Sequence, residues 1–353
     1  MIGKRLKGAR AASGLSLRAL SDAMDNKVSA QAIGKYERNE DMPGSGVLLS
    51  LARALEVSVD FLLSDDELEL EGVEFRKSAS SSAKEIATIE AKTLNMVEKY
   101  LAVESLLNLS SQEWDAPHEA PYWVTDVRDA EDAARNMRAS WQLGHDPIPM
   151  LAELLEEHGI KVLSLDVDRI DGLAAKVRRK EHHSARVIMI KKKTWSERKR
   201  FSLAHELGHM VLKVAEGCDS ERAANRFAGA FLVPAEVLRQ EIGARRTDIS
   251  IGELISLKDR FGVSIQALTY RCKDLEIINQ ATFARLFKVY KQRGWRNEPF
   301  EEPNSIPWER EEPDRFQRLC FRALSEGLIG LSRAAELLEI RVKELEERLD
   351  HMA

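Results

Sequence analysis

The stretch Arg200-Phe201-Ser202-Leu203-Ala204-His205-Glu206-Leu207-Gly208-His209 sets two histidines four residues apart, with a glutamate directly after the first. The apolar residues Phe201, Leu203, Leu207, Val211 and Leu212 flank it and no proline interrupts, so the spacing predicts a helix. On a helix, residues four apart share a face about one turn apart, and His205 and His209 can reach one ion. Glu206, beside the first histidine, can take a proton from water on that ion without being a ligand. A five-residue motif recurs by chance, so a third ligand has to be found.

Twelve residues after His209 comes Glu221, with Asn225 one helical turn further on. A catalytic zinc takes three protein ligands and keeps a fourth position open. Glu221 supplies the third ligand, and Asn225 can hydrogen-bond a ligating histidine from behind. The alternative for Glu221 is a solvent-facing helix residue.

Together with Glu221-Arg222-Ala223-Ala224-Asn225-Arg226-Phe227-Ala228 and Leu232-Val233-Pro234, the stretch resembles the ImmA/IrrE family of metallopeptidases, over roughly residues 147–275. The resemblance implies a small α+β, gluzincin-like fold, a zinc ion (Zn2+) and cleavage of transcriptional repressors. Carried over, His205, His209 and Glu221 hold zinc and Glu206 is the general base. Ala223 stands where many members have a second acid, so a third ligand cannot come from that position.

Upstream, residues 161–165 and 186–190 are short β-rich runs suited to a small sheet. The second could offer its edge to an extended substrate or lie inside the sheet. Residues 176–200 hold eleven bases against two acids. They read as a solvated surface, with attraction for an acidic partner as the second reading. His182-His183, Cys218, His145 and His158 read as ordinary loop, core or surface residues.

The N-terminal part divides into short helices. Gly14 ends the first, Ser16 caps the second, Asp25-Asn26-Lys27 turns the chain, and Ser29 caps a third carrying Ile33 and Tyr36 inward. Pro43-Gly44 breaks the chain before two closing helices. Residues 1–40 hold eight Lys or Arg against four acids, a modest excess. Val28-Ser29-Ala30-Gln31-Ala32-Ile33-Gly34-Lys35-Tyr36-Glu37-Arg38 resembles the recognition helix of Xre/Cro-type repressors. Such a helix enters the major groove of duplex DNA by its N-terminal part. Ala30 and Gln31 would approach base edges, while Ser29, Lys35 and Arg38 would meet phosphates. Leu17, where family members often carry Gln, and the extra Asn26-Lys27 depart from the pattern. A helical protein-interaction domain of the same shape is the competing reading.

Between these units, residues 65–75 carry six acids and no base. With the serine-rich residues 78–82 they read as a linker, followed by a long helix over about 82–107. A helical region beyond about 279 has a Pro-rich interruption over 299–313. Leu331-Ser332-Arg333-Ala334-Ala335-Glu336-Leu337-Leu338-Glu339-Ile340 resembles a second small helix-turn-helix unit. Its acids favour packing against the peptidase or a partner over DNA contact.

The expected organisation is therefore a mostly α chain with one small α+β metallopeptidase domain. A five-helix helix-turn-helix domain occupies residues 1–64. An acidic linker and helical connector follow over 65–146, the gluzincin-like core over 147–280, and a helical C-terminal region over 281–353. The length of 353 residues fits two or three domains, and an apolar fraction of 44% excludes wholesale disorder. The net charge of -5 announces no nucleic-acid partner by itself. Three scattered cysteines exclude a disulfide scaffold and fit a reducing cytoplasm. No apolar run approaches the roughly 20 residues of a membrane span, and no signal peptide is visible.

Two complete functional units predict a DNA-binding regulator whose zinc endopeptidase hydrolyses a repressor or antitoxin-like protein, with a homodimer compatible with the DNA half. Two other functions compete. One is a repressor whose peptidase-like domain only senses or scaffolds, against which the intact Glu206 argues. The other is a regulator that cuts its own linker.

Overall fold

The computed structural model describes residues 2–55, 57, 59–63, 68–77, 83–109, 114–167, 170–178 and 184–352. His182 and His183 lie outside them. The chain is mostly helical with a small sheet. Among the described residues no helix is long and apolar enough to cross a membrane.

Five helices open the chain: α1 (Ile2–Ala12), α2 (Leu17–Ala23), α3 (Ala30–Glu37), α4 (Ser45–Ala54) and α5 (Val59–Leu63). The side chains of Ser16 and Ser29 accept from the third residue of α2 and α3, as N-caps do. Asp25 and Asn26 take the left-handed conformation between them, which short polar side chains tolerate. Leu6, Leu20, Ile33, Leu51 and Leu62 are fully buried at the centre of this unit. Arg10 grips Glu37 with two hydrogen bonds of 2.5 and 3.0 Å and so ties α1 to α3.

Residues 69–77, read from the sequence as linker, form strand β1 (Glu69–Lys77). The run of acids conceals a period of two, Leu68-Glu69-Leu70-Glu71 and Val73-Glu74-Phe75-Arg76, which is a strand pattern. Helix α6 (Ala83–Leu106) follows at the place the periodicity indicates. Next come β2 (Tyr122–Val124), α7 (Asp129–Ser140), α8 (Leu151–Glu157), β3 (Ile160–Leu165), β4 (Ile170–Arg178) and β5 (Ala185–Lys191). The motif helix is α9 (Ser196–Val211), followed by β6 (Leu212–Val214), α10 (Ser220–Leu232), α11 (Ala235–Ile242), α12 (Ile251–Phe261), α13 (Ile265–Asp274) and α14 (Gln280–Gln292). After a short 3-10 turn, α15 (Arg315–Ser325), α16 (Leu331–Leu337) and α17 (Val342–Met352) close the chain.

The main sheet has the order β1-β4-β5-β3, while β2 and β6 form a small parallel pair. β5 runs parallel to β3 and antiparallel to β4. It is thus an inner strand, the second of the two readings its sequence left open, and both of its edges are paired. The reason is visible in Val187-Ile188-Met189-Ile190, all buried. Ile188 and Ile190 point into the core shared with α9, and Val187 and Met189 into a second core on the opposite face. A strand buried on both faces reads as a continuous apolar run. The second core is closed by α6 and by α15–α17, through Val97, Tyr100, Leu319, Ala323, Ala334 and Leu337. The C-terminal region therefore packs on the back of the sheet, as its acids and apolar spacing predict.

One buried carboxylate sits where α8 meets that C-terminal layer. Glu156 is only 2% exposed, and burial pushes its carboxyl up to about 8, against the opposing backbone N–H of Arg315 and the guanidinium groups of Arg315 and Arg318. Asp314 faces it from the N-cap of α15, and Tyr100 and Lys161 face it from α6 and β3. Folded Glu156 keeps its proton up to about pH 8 while the unfolded residue loses it near its ordinary value of 4.5. Stability is thus lost as pH rises between those values, by about 1.4 kcal/mol per pH unit for this one group. Glu156→Gln is expected to remove that loss. Denaturant midpoints for the two proteins should diverge from pH 5 to pH 8 in favour of the variant, and parallel profiles would refute the account.

Candidate metal centre and nucleic-acid interface

α9 is more deeply buried than its sequence suggests, with twelve of its 16 residues enclosed. Its charged residues are held by partners. Arg200 donates to the carbonyls of Ile148 at 2.6 Å and Pro149 at 3.1 Å and pairs with Glu311 at 2.9 Å. Lys199 pairs with Glu312. Glu197 and Glu302 both contact Lys258, at 2.6 and 3.2 Å. The Pro-rich stretch after α14 thus runs beside the N-terminal half of α9 and fixes it with acids. Breaking one such buried pair costs on the order of 3–5 kcal/mol. This corrects the reading of residues 176–200 as a solvated surface, since their last bases are interior.

Gly208 decides how close α10 can come. A Cβ at that position would stand 3.1 Å from Phe227 and 3.3 Å from the Ala224 backbone. With hydrogen there instead, the helices pack tightly and α10 brings Glu221 and Asn225 over the two histidines. The side chain of Asp219 caps α10 by accepting from the Arg222 N–H. Behind α10, Arg271 donates to the Val233 carbonyl at 2.9 Å and pairs with Glu131 of α7, fixing the helix from the far side.

Ligand atoms of His205, His209 and Glu221 all lie within 4.8 Å of one another. His205 Nε2 and His209 Nε2 are 3.0 Å apart, and the two Glu221 oxygens stand 3.5 Å from the first and 3.3 Å from the second. His205 Nδ1 lies 3.1 Å from Asn225 Oδ1. An amide oxygen accepts, so Nδ1 carries the proton and Nε2 keeps its lone pair for the common point. Two imidazole nitrogens and a carboxylate converging from two helices fit a divalent ion of the zinc type. Glu206 is fully buried, and its carboxylate lies against β4 of the sheet. A Cβ on Gly172 of β4 would stand 2.7 Å from Glu206 Oε1, so only a glycine leaves room for the carboxylate.

Sequence reasoning passed over Gly172. The signal was an Asp-Gly pair inside an apolar run, where glycine marks a close approach. It also missed Arg198, two turns before His205, which pairs with Asp171 at 2.7 Å and lies 4.1 Å from the Phe300 ring centroid. Beside the triad, Asn225, Phe201, Arg198, Tyr270 and Phe300 are among the residues lining a cavity of 520 Å³. Its lining mixes aromatic and charged side chains, the latter including the buried Glu197, Lys258 and Glu302. Cys218 is half-buried against the core. His158 stacks on Trp141 at 3.9 Å, away from the triad.

In the N-terminal unit, Gln31 and Lys35 of α3 and Arg38 at its C-cap are exposed, and Ala30 is half-exposed beside them. Ser29 is engaged as the cap of that helix. The Arg38 guanidinium donates to Glu40 at 2.6 and 2.8 Å, an exposed pair that a phosphate could replace.

Comparison with known proteins agrees with both halves. Residues 6–62 match the helix-turn-helix family model, and residues 155–273 match the model of the IrrE N-terminal-like domain, a metallopeptidase family. No curated protein and no solved structure matches the chain. The chain thus joins a stretch that matches an Xre/Cro-type helix-turn-helix to one that matches an ImmA/IrrE-type metallopeptidase domain.

Proposed function

We propose that this protein is a DNA-binding regulator whose zinc-dependent endopeptidase hydrolyses a peptide bond in another regulatory protein, a repressor or antitoxin-like chain. The convergence of His205, His209 and Glu221 beside the buried Glu206 carries this reading. A scaffold or sensor has no need of a buried carboxylate next to a metal-binding triad. A bound zinc would supply Lewis acidity at the scissile carbonyl. Glu206 accepts a proton from the attacking water and returns it to the leaving amide nitrogen. Asn225 holds the His205 ring, and the pinned N-terminal half of α9 keeps the base and the histidines in fixed relation.

The peptidase half is tested by mixing the zinc-loaded chain with helix-turn-helix repressors encoded beside it and following intact mass. One discrete clip in a partner is expected, absent when Glu206→Gln replaces the parent. An intact set of partners in every mixture would refute it.

The DNA half rests on the exposed Gln31, Lys35 and Arg38. Gln31→Ala should weaken a specific duplex more than random DNA, because it removes a base contact. Lys35→Ala should weaken both and lower the slope of log affinity against log salt by about 0.9. Anisotropy at several salt concentrations reads both effects. A domain that binds no duplex would make this unit a protein-interaction module.

A further inference from the structure

An extended peptide is held most readily by the open backbone edge of a sheet, where each residue of the pair completes a ladder. Gly172 places β4 directly against Glu206, 2.7 Å from an added Cβ to the carboxylate oxygen. One edge of β4 is paired with β5. The other is filled by β1, which arrives from the segment between the helix-turn-helix and α6. β1 runs antiparallel to β4, with Glu69 opposite Arg178 and Lys77 opposite Ile170. The register is interrupted between Phe75 and Lys77, which is where β4 passes through Asp171 and Gly172 beside the base. Charge assists the docking: Glu71 stands 3.0 Å from Arg178 and 3.8 Å from Lys176.

We infer that the outer edge of β4 is the peptide-binding edge of the peptidase and that residues 69–77 are its resident occupant, an internal strand that an incoming extended peptide must displace. The inference rests on the peptidase reading above and adds what holds the substrate and what competes with it. A tethered strand competes at an effective concentration on the order of millimolar. A free peptide of equal intrinsic affinity at micromolar concentration then loses by roughly 10³-fold. The chain with β1 in place is a closed peptidase, and the segments it admits are extended ones that can pair with β4 and carry acids opposite Lys176 and Arg178.

The test uses the full chain with Glu206→Gln, so that nothing is cut, and a fluorescein-labelled peptide with the sequence of residues 68–77. Leu70→Pro/Glu71→Pro breaks the internal strand. Successive residues of an antiparallel strand alternate in donating across the ladder, so one of the two prolines removes a bond. Anisotropy should show the peptide binding at least about tenfold more tightly to the broken chain than to the intact one. Glu71→Arg, which keeps the strand pattern but sets like charges together, should give a smaller gain of a few-fold. Adding Arg178→Glu should reverse that gain. Equal affinity with and without the strand, or no binding by any variant, overturns the inference and leaves β1 a passive edge cover. Casein cleavage by chains that keep Glu206 separates the two readings. Tight peptide binding to the broken chain with casein cut by neither chain would leave this inference standing and put the peptidase reading at fault. Equal casein cleavage by intact and broken chains would do the reverse.

Discussion

Glu206→Gln is expected to slow cleavage of any protein substrate by roughly 10²- to 10⁴-fold while zinc stays bound. The carboxylate is fully buried on α9, one residue after His205 and against Gly172. Glutamine has nearly the same shape and keeps the packing against β4, but it cannot accept a proton. Because Glu206 is not one of the three converging ligands, the metal content of the variant should equal that of the parent. Melting temperature should move little for the same reason. The measurement is a single-turnover rate on the identified substrate beside metal analysis of the same sample. Equal rates would remove Glu206 from the chemistry. A variant that loses both rate and metal would instead make it part of the metal site.

The second large effect concerns the ligands. His205→Ala, His209→Ala and Glu221→Ala should each reduce zinc from about one per chain to a trace after dialysis, because three protein ligands are the minimum for a catalytic site. Asn225→Ala should behave differently. It leaves all three ligands and removes only the hydrogen bond to His205 Nδ1, so affinity should fall by about 10- to 100-fold without abolishing binding. Glu221 is the informative member, since its side chain is half-exposed while His205 is wholly buried. Retention of full zinc by Glu221→Ala, read by inductively coupled plasma emission, would move the third ligand elsewhere. Competition with a chromogenic chelator ranks the four variants.

These two results bear on what holds the site in place. The placement of His205 and His209 depends on the helix spacing alone, but that of Glu221 depends on α10 approaching at Gly208, and that of Glu206 on β4 approaching at Gly172. Either glycine enlarged would separate groups that are far apart in sequence. The acids of the segment before α15 act at the same level, because Glu311 and Glu312 neutralise Arg200 and Lys199 inside the fold. The back of the sheet is closed by the last three helices, so the C-terminal region supports the front from behind.

Local signals alone determined much of this. Serine caps placed the starts of α2 and α3, the periodicity of residues 82–107 placed α6, and the i, i+4 spacing placed His205 and His209 on one face. Such features depend on residues within one or two helical turns, and local backbone energetics decide them. The convergence of Glu221 and Asn225 on those histidines was legible as well, because spacing along a second helix carries it.

Contacts between distant segments decided the rest. Nothing within residues 186–190 tells an edge strand from an inner one; that depends on β4 lying alongside, and β4 was not read as a strand. The acidic run before α6 showed its charge more loudly than its alternation, and only Lys176 and Arg178 on a neighbouring strand make it a strand worth docking. The bases of α9 looked solvated because their partners lie more than a hundred residues on, at Glu311 and Glu312. A chain reveals by itself what each segment can form, while the partner that saturates an edge or a buried charge is chosen only when the tertiary fold brings it within a few ångströms.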